Sequence, residues 1–337
     1  MKRTYHSISA AALCLSSFAL APPASPAALT LPRDGWLSWE VSAVDAAPDW
    51  CCWSDHKSYR DAPRTACRLD ASQQGYGSRD HATTDVVRIY ARTAAGRIDR
   101  FRVLSATCPV EAATPINDLG RIAEDESARW LMNLIQQRDS GKTARHQVEE
   151  DILAALAVNR GNFARDGIAG IARNDARTET RKQAVFWLAL LRGQEGADIT
   201  ASVLFGDKNS DVREHAAFSL SQSEAPRAAA DLIRAGNTDR DSEVRAQAWF
   251  WLAQMGAPEA ESAIFTALRK ETDDDVRERA IIALSQLPDA RATKALIAVA
   301  EDRSMSREQR KRAVFWLAQS DSDAAQTYLE QVLTANH

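Results

Sequence analysis

The sequence is short of the features that mark nucleic-acid-binding proteins and enzymes. Its 337 residues include 42 basic and 46 acidic side chains without a basic block, so no nucleic-acid partner is expected. None of the six histidines is followed by glutamate, and the chain has no glycine-rich phosphate loop, G-x-S-x-G element or H-E-x-x-H element. The sequence therefore predicts no catalytic residue, no cofactor and no metal.

Glycine, proline and long apolar runs are also scarce. The chain has 14 glycines and 11 prolines, while 45% of its residues are hydrophobic, so disorder is expected only at the ends. Beyond the N-terminus, no segment is apolar for the roughly 20 residues that a membrane-spanning helix needs. The length suffices for two domains, and we expect no membrane span.

The N-terminus has the layout of a secretory signal peptide. Two basic residues precede an uncharged stretch, and prolines and small residues follow it. We predict a signal peptide over residues 1–28, cleaved near Ala27 or Ala28, and a mature protein that is periplasmic or secreted. Cys14 follows a leucine, where a lipoprotein signal needs a small residue, so no lipid anchor is predicted.

Four cysteines remain after the predicted cleavage: Cys51, Cys52, Cys67 and Cys108. An even number in an exported chain predicts two disulfides. Neighbouring cysteines bond each other only through a strained ring, so Cys51 and Cys52 are each expected to take a different distant partner, in either pairing. A zinc site that adds His56 is the alternative. Adjacent cysteines lack the two-residue gap of common zinc knuckles, so disulfides are favoured.

The C-terminal half repeats itself. The segments that begin at Val212 and Val244 align, and their marker arginines recur at spacings of 32, 32, 32 and 33 residues. A second amphipathic segment and turn-forming residues complete each unit. A fixed period of this size predicts stacked helix pairs, here an α-solenoid of about six units over residues 145–337. The marker arginines are Arg181, Arg213, Arg245, Arg277 and Arg310.

Residues 29–110 have a different pattern. Two β-rich runs flank Ala94-Ala95-Gly96, which predicts a hairpin. Together with the cysteines, this pattern predicts a small β-rich domain held by disulfides. Residues 111–144 are expected to form a linker that contains a bridging helix over about residues 125–137.

The marker segment resembles a known family. Asp211, Val212 and Arg213, followed by Ala216 and Leu220, are similar to the short HEAT-like repeats named after phycobilisome lyases. The resemblance covers about residues 145–337 and implies a mainly α fold, a HEAT-type α-solenoid. Such repeats serve as scaffolds, lyase subunits and hydroxylases, so the resemblance is specific for the fold only.

A wider resemblance covers most of the mature chain. Three elements are similar to elements of exported bacterial HEAT-repeat proteins. They are Cys51-Cys52-Trp53, the element from Ser105 to Glu111, and the A-V-F-W-L segments at Ala184 and Ala313. This resemblance implies export but no activity.

One column of apolar residues falls on the polar side of the repeat helix. A helical wheel places Phe218 amid the polar residues Asp211, Glu214, His215 and Gln222. Inner helices of a solenoid line its concave surface, so this column is a candidate protein-binding site. The alternative is sideways packing of each ring against the next repeat, and the two interpretations are partly compatible. The candidate site residues are Phe186, Phe218, Phe250 and Phe315, with Ile282 at the equivalent position.

Three further columns have structural interpretations. One column, next to the phenylalanines, is expected in the core, and so is Trp249 on another column. The members of the first column are Trp187, Ser219, Trp251, Ala283 and Trp316. The arginine column is expected to pair, between neighbouring repeats, with the acids Glu179, Asp211, Glu243, Asp275 and Glu308. The glutamine column is expected to face solvent, as ligands for a bound backbone or as solvated helix ends; it comprises Gln222, Gln254, Gln286 and Gln319.

These patterns favour an exported, non-enzymatic scaffold that binds a protein or peptide on the concave solenoid surface. The alternative that the resemblance allows is a lyase-like or cofactor-modifying enzyme, or an accessory subunit of one. A third hypothesis makes the N-terminal domain the functional part and the solenoid a spacer.

Overall fold

A computed structural model describes residues 29–45, 47–53, 64–71, 76–137 and 143–334, except for the side chains of Trp53, Arg64, 76–81 and 143–146. The predicted signal peptide, Cys14 and His56 lie outside these described residues. No helix in the described part of the chain is long and apolar enough to cross a membrane.

Nine strands and thirteen helices follow one another in the described residues. The strands are β1 (Gly35–Ser42), β2 (Pro48–Trp53), β3 (Arg64–Thr65), β4 (Cys67–Arg68), β5 (Tyr76–Thr83), β6 (Val86–Ala94), β7 (Arg97–Ser105), β8 (Val110–Glu111) and β9 (Ile116–Arg121). The helices are α1 (Glu124–Gln136), α2 (Thr143–Val158), α3 (Asn162–Asn174), α4 (Thr178–Leu191), α5 (Gly193–Gly206), α6 (Ser210–Ser221), α7 (Ala228–Thr238), α8 (Ser242–Gln254), α9 (Ala260–Lys270), α10 (Asp274–Ser285), α11 (Asp289–Glu301), α12 (Arg307–Ala318) and α13 (Asp323–Thr334).

The main sheet has the strand order β7-β6-β1-β9. The predicted hairpin joins β6 to β7, and its turn residues Ala95 and Gly96 both have positive φ, which suits the right-handed twist of a two-residue hairpin. Strand β9 pairs with β1 in parallel, so the sheet continues to Arg121. The domain boundary expected at residue 110 therefore falls inside the sheet domain, because a returning strand is not visible as a local pattern.

The two faces of the sheet have different partners. Side chains alternate along β1, so Trp36 and Trp39 point to opposite faces. Trp39 is fully buried against α1, where its indole N–H donates to Ser127 Oγ at 2.9 Å. Trp36 packs with Tyr90, Leu104 and the disulfide cysteines on the other face. The Trp39 face belongs to one hydrophobic core that continues into the helices, so the sheet domain and the solenoid are packed as one body.

Six helix pairs form the solenoid, from α2/α3 to α12/α13. The first helices of successive pairs contact one another, and so do the second helices. Caps recur with the repeat: side chains of Asn209, Asp241, Asp273 and Ser306 accept hydrogen bonds from the first turns of α6, α8, α10 and α12. Trp249 is fully buried, as expected, and a side chain at position 236 would clash with its ring, which explains Gly236.

The marker arginines form a ladder, but with different acids from those expected: each ion pair lies within one helix pair, and a bond to the preceding turn's carbonyl joins neighbouring pairs. Arg213 donates Nε and Nη2 to the two carboxylate oxygens of Asp239, each at 2.9 Å, and Nη1 to the Asp207 carbonyl at 3.1 Å. Arg181 binds Asp207 and Arg245 binds Glu271 in the same way. These acids end the second helix of each pair, whereas the acids expected as partners begin the first helix.

Arg277 interrupts this ladder. The acid that follows α11, as Asp239 and Glu271 follow α7 and α9, is Asp302, and its carboxylate binds Arg269 instead. Arg277 therefore pairs with the exposed Asp274, at 2.6 Å, and keeps only its bond to the Glu271 carbonyl. We call an arginine that binds both a buried carboxylate and the preceding carbonyl a complete rung of the ladder. Arg277, which lacks the buried carboxylate, is an incomplete rung, so the chain allows the two to be compared.

Candidate functional site

A continuous row of aromatic rings runs from the sheet domain across three repeats. We call Trp50, Trp187, Phe186, Phe218, Trp251 and Phe250 the aromatic row. Successive ring centroids lie 6.0, 5.2, 6.0, 4.8 and 5.0 Å apart. The rings of Phe186 and Phe218 are stacked, with 5° between their planes, and the other contacts are tilted or edge-on. These separations lie within the range of favourable aromatic pairs.

The repeat period places these rings side by side. Phe186, Phe218 and Phe250 occupy equivalent positions of α4, α6 and α8, and consecutive first helices are in contact. The rings therefore pack sideways, as one of the two sequence interpretations expects. They remain half-buried, however, so each keeps part of its surface for a partner. Trp187 and Trp251 are also half-buried, whereas Ser219 and Ala283 in the same column are in the core as expected.

The row ends after α8. Ile282 replaces phenylalanine in α10, and the ring contacts stop there among the described residues. Phe315 and Trp316 on α12 form a separate pair, with centroids 5.5 Å apart. Phe315 is 49% exposed and lies outside the continuous row, although the sequence groups it with the other three phenylalanines.

His215 lies within the row and not on the solvent face that the helical wheel predicts. Its ring centroid is 6.5 Å from that of Phe186 and 5.5 Å from that of Phe218. The ring is half-buried, and its Nε2 has no hydrogen-bond partner among the described residues. Burial, reinforced by Lys182, lowers the pKa of His215 to about 4, so the ring is neutral at pH 7. A neutral ring can pack between phenylalanines, which explains why the helical wheel wrongly places His215 on the solvent face.

Glutamines border the row on the side of the helix C-termini. Gln222 lies one turn after Phe218, and Gln254 one turn after Phe250. All four glutamines of the column are exposed, as expected, and Gln254 Nε2 donates to Gln286 Oε1 at 3.3 Å. An amide side chain both donates and accepts, which is what a peptide backbone requires.

Carboxylates border the row on the side of the helix N-termini. Glu214 lies one turn before Phe218, about 6 Å along the axis of α6. Burial raises the pKa of Glu214, and the neighbouring charges of Glu243, Asp211 and Asp241 raise it further, against the opposing effect of Arg279. Arg279 forms an ion pair with Glu243 across the repeats. We call Asp211, Glu214, Asp241 and Glu243 the acidic cluster; Arg279 forms its ion pair with one of these four carboxylates.

The disulfides lie where the row begins. Cys51 is bonded to Cys108 and Cys52 to Cys67, so the adjacent cysteines take different distant partners, as predicted. Trp50 directly precedes Cys51 in β2 and is buried against Trp187 of α4. No local pattern in the sequence indicates this contact, because the two tryptophans are far apart in the chain.

Comparisons with known proteins support the solenoid. Residues 166–249 and 237–308 match the family model described as HEAT repeats, so this part of the chain consists of HEAT repeats. Among solved structures, human deoxyhypusine hydroxylase in complex with glycerol is 14% identical, with 62% of this chain and 90% of that chain covered and a TM-score of 0.26. A likeness at that TM-score carries no argument about activity. No curated protein matches the chain.

The neutral state of His215 makes the stability of the solenoid dependent on pH. The pKa of His215 is lower in the folded chain than in the unfolded chain, so its contribution is complete above pH 6.5 and is lost as the pH falls towards 4. His215→Gln introduces the residue found at the equivalent positions 183 and 247. We expect the wild type to lose more stability than the variant between pH 7 and pH 4.5, measured as urea midpoints. An equal loss in both proteins would show that His215 is already accessible to protons.

Proposed function

We propose that the protein is a non-enzymatic binding protein whose aromatic row holds an extended segment of a partner protein. The observation that carries this proposal is the unbroken series of half-buried rings over α4, α6 and α8, which begins at the sheet domain. Aromatic anchors surrounded by polar groups supply most of the binding energy at protein interfaces. In a solenoid, the first helices would present such a row along a concave surface.

The two borders of the row define the chemistry of the partner. An extended segment along the row would cross the helices, with the glutamines on one side and the acidic cluster on the other. Glutamine amides suit its backbone, and the clustered carboxylates suit a basic side chain. The partner segment is therefore extended, with a Lys or Arg a few residues from a Leu, Phe or Trp. The enzymatic alternative rests on the resemblance of the repeats alone.

The binding proposal is tested with random 12-residue peptides displayed on phage and selected on the full chain. We expect enrichment of peptides that combine a basic residue with an apolar one. For a selected peptide, Phe218→Ala and Phe250→Ala should each weaken binding by about 1–3 kcal/mol, roughly 5- to 150-fold in Kd. Glu214→Gln should weaken binding at low salt and much less at high salt, because salt screens the attraction.

Phe315→Ala is the matched control, since it removes the same side chain from the same column outside the row. It should leave the affinity unchanged. If Phe218→Ala instead lowers the free energy of unfolding by about 3–5 kcal/mol while the folded variant binds normally, the row is a packing device only. Selection of acidic peptides would contradict the assignment of the partner.

We also propose that the protein works outside the cytoplasm. The pattern of residues 1–28 supports this proposal, and so do two disulfides in one small domain, since such bonds persist in oxidising compartments. Thiol titration of the denatured, unreduced protein, isolated from cells with its export intact, should find no free thiol in the mature chain. A content of about two or more thiols per chain would contradict both export and the pairing.

A further inference from the structure

The four sulfur atoms form one buried cluster. Each cysteine is at most 5% exposed. Cys67 Sγ lies 3.6 Å from Cys108 Sγ, although each of these atoms is bonded to a different cysteine. The sulfur atoms of Cys51, Cys67 and Cys108 all lie within 4.8 Å of one another. Two disulfides are thus in contact through Cys67 and Cys108.

Backbone pairing, and not only the disulfides, holds this cluster together. Strand β4 pairs with β8 in parallel, and the amide of Cys67 donates to the carbonyl of Pro109 at 2.8 Å. The amide of Cys108 donates to the carbonyl of Ser105 at 2.9 Å. Cys67 and Cys108 therefore stay adjacent when one of the disulfides opens.

We propose that this cluster is a site of internal thiol–disulfide exchange. An external dithiol first reduces Cys52–Cys67 and is itself oxidised to a disulfide, which leaves two thiols on the protein. The Cys67 thiol loses its proton, and the thiolate attacks Cys108 Sγ. The Cys51–Cys108 bond breaks, and its electron pair leaves on Cys51 Sγ, which takes up a proton. The second step involves no net oxidation, because one disulfide replaces another.

The exchange changes which segments the remaining disulfide joins. Cys67–Cys108 joins two segments that are already paired through β4 and β8, while Cys51 and Cys52 become neighbouring free thiols. Strand β2 then has no disulfide to the rest of the domain. Because Trp50 lies next to Cys51 and packs on Trp187, the exchange leaves the strand that carries the first ring of the aromatic row held only by its pairing with β3 and β5 and by packing. The cluster thereby couples the redox state to one end of that row.

Two single variants test the exchange without added reductant. Cys52→Ser leaves Cys67 as the free thiol, and Cys51→Ser leaves Cys108 as the free thiol. Both should form the same Cys67–Cys108 bond, with Cys51 released in the first variant and Cys52 in the second. The proteins are trapped by acid and alkylation, digested with trypsin and analysed by mass spectrometry. Trypsin separates Cys67, on residues 65–68, from Cys108, on residues 103–121, so the new bond links two distinct peptides.

We expect Cys67–Cys108 in at least about a tenth of the molecules of each variant. Retention of only Cys51–Cys108 in the first variant and only Cys52–Cys67 in the second would overturn the proposal. If a variant fails to fold, the wild type treated with less than one equivalent of dithiothreitol gives the same readout in its singly reduced fraction. There, Cys67–Cys108 supports the exchange, and its absence contradicts it. Peptide binding by the oxidised wild type is a separate measurement, so either proposal can fail alone.

Discussion

The structure depends on a buried, bidentate ion pair between an arginine and a carboxylate that recurs in three successive helix pairs. Arg213 and Asp239 are only 3% and 6% exposed, and the same guanidinium also reaches the carbonyl of Asp207, one repeat earlier. A bidentate pair of this kind fixes orientation as well as distance. Each arginine therefore joins the turns of two neighbouring repeats and holds their helices in one register.

A fixed register turns single residues into rows. Once α4, α6 and α8 are aligned, the phenylalanines of α4 and α6 contact the next repeat, and the glutamines and acids form parallel borders. No single helix contains the aromatic row with its two polar borders, because the helical wheel of one repeat shows only one phenylalanine among polar residues. The sheet domain extends the row, since its packing against α1 and α2 brings Trp50 to Trp187.

Much of this architecture follows from the sequence because it is local or periodic. The period predicts the six helix pairs, the apolar columns predict that Trp249 is buried, and the cysteine count predicts two disulfides. The contacts that sequence reasoning missed join residues that are distant in the chain. Asp239 lies on a turn beyond the second helix, so it does not appear on the wheel that carries Arg213. Strand β9 and the contact of Trp50 with Trp187 are likewise products of folding, and His215 was misplaced because a neutral histidine packs like an aromatic ring.

The most direct test compares a complete rung of the ladder with the incomplete one. Arg213→Ala leaves the buried Asp239 without its partner, which should cost about 3–5 kcal/mol. Arg277→Ala removes the same side chain from a rung whose carboxylate, Asp302, binds Arg269 instead, so it forfeits mainly an exposed ion pair worth at most about 1 kcal/mol and one bond to a carbonyl. Urea unfolding, with hydrogen exchange of α6 and α8 as a local readout, should show the larger loss for Arg213→Ala. Equal losses would contradict the claim that the buried ion pair holds the repeats in register.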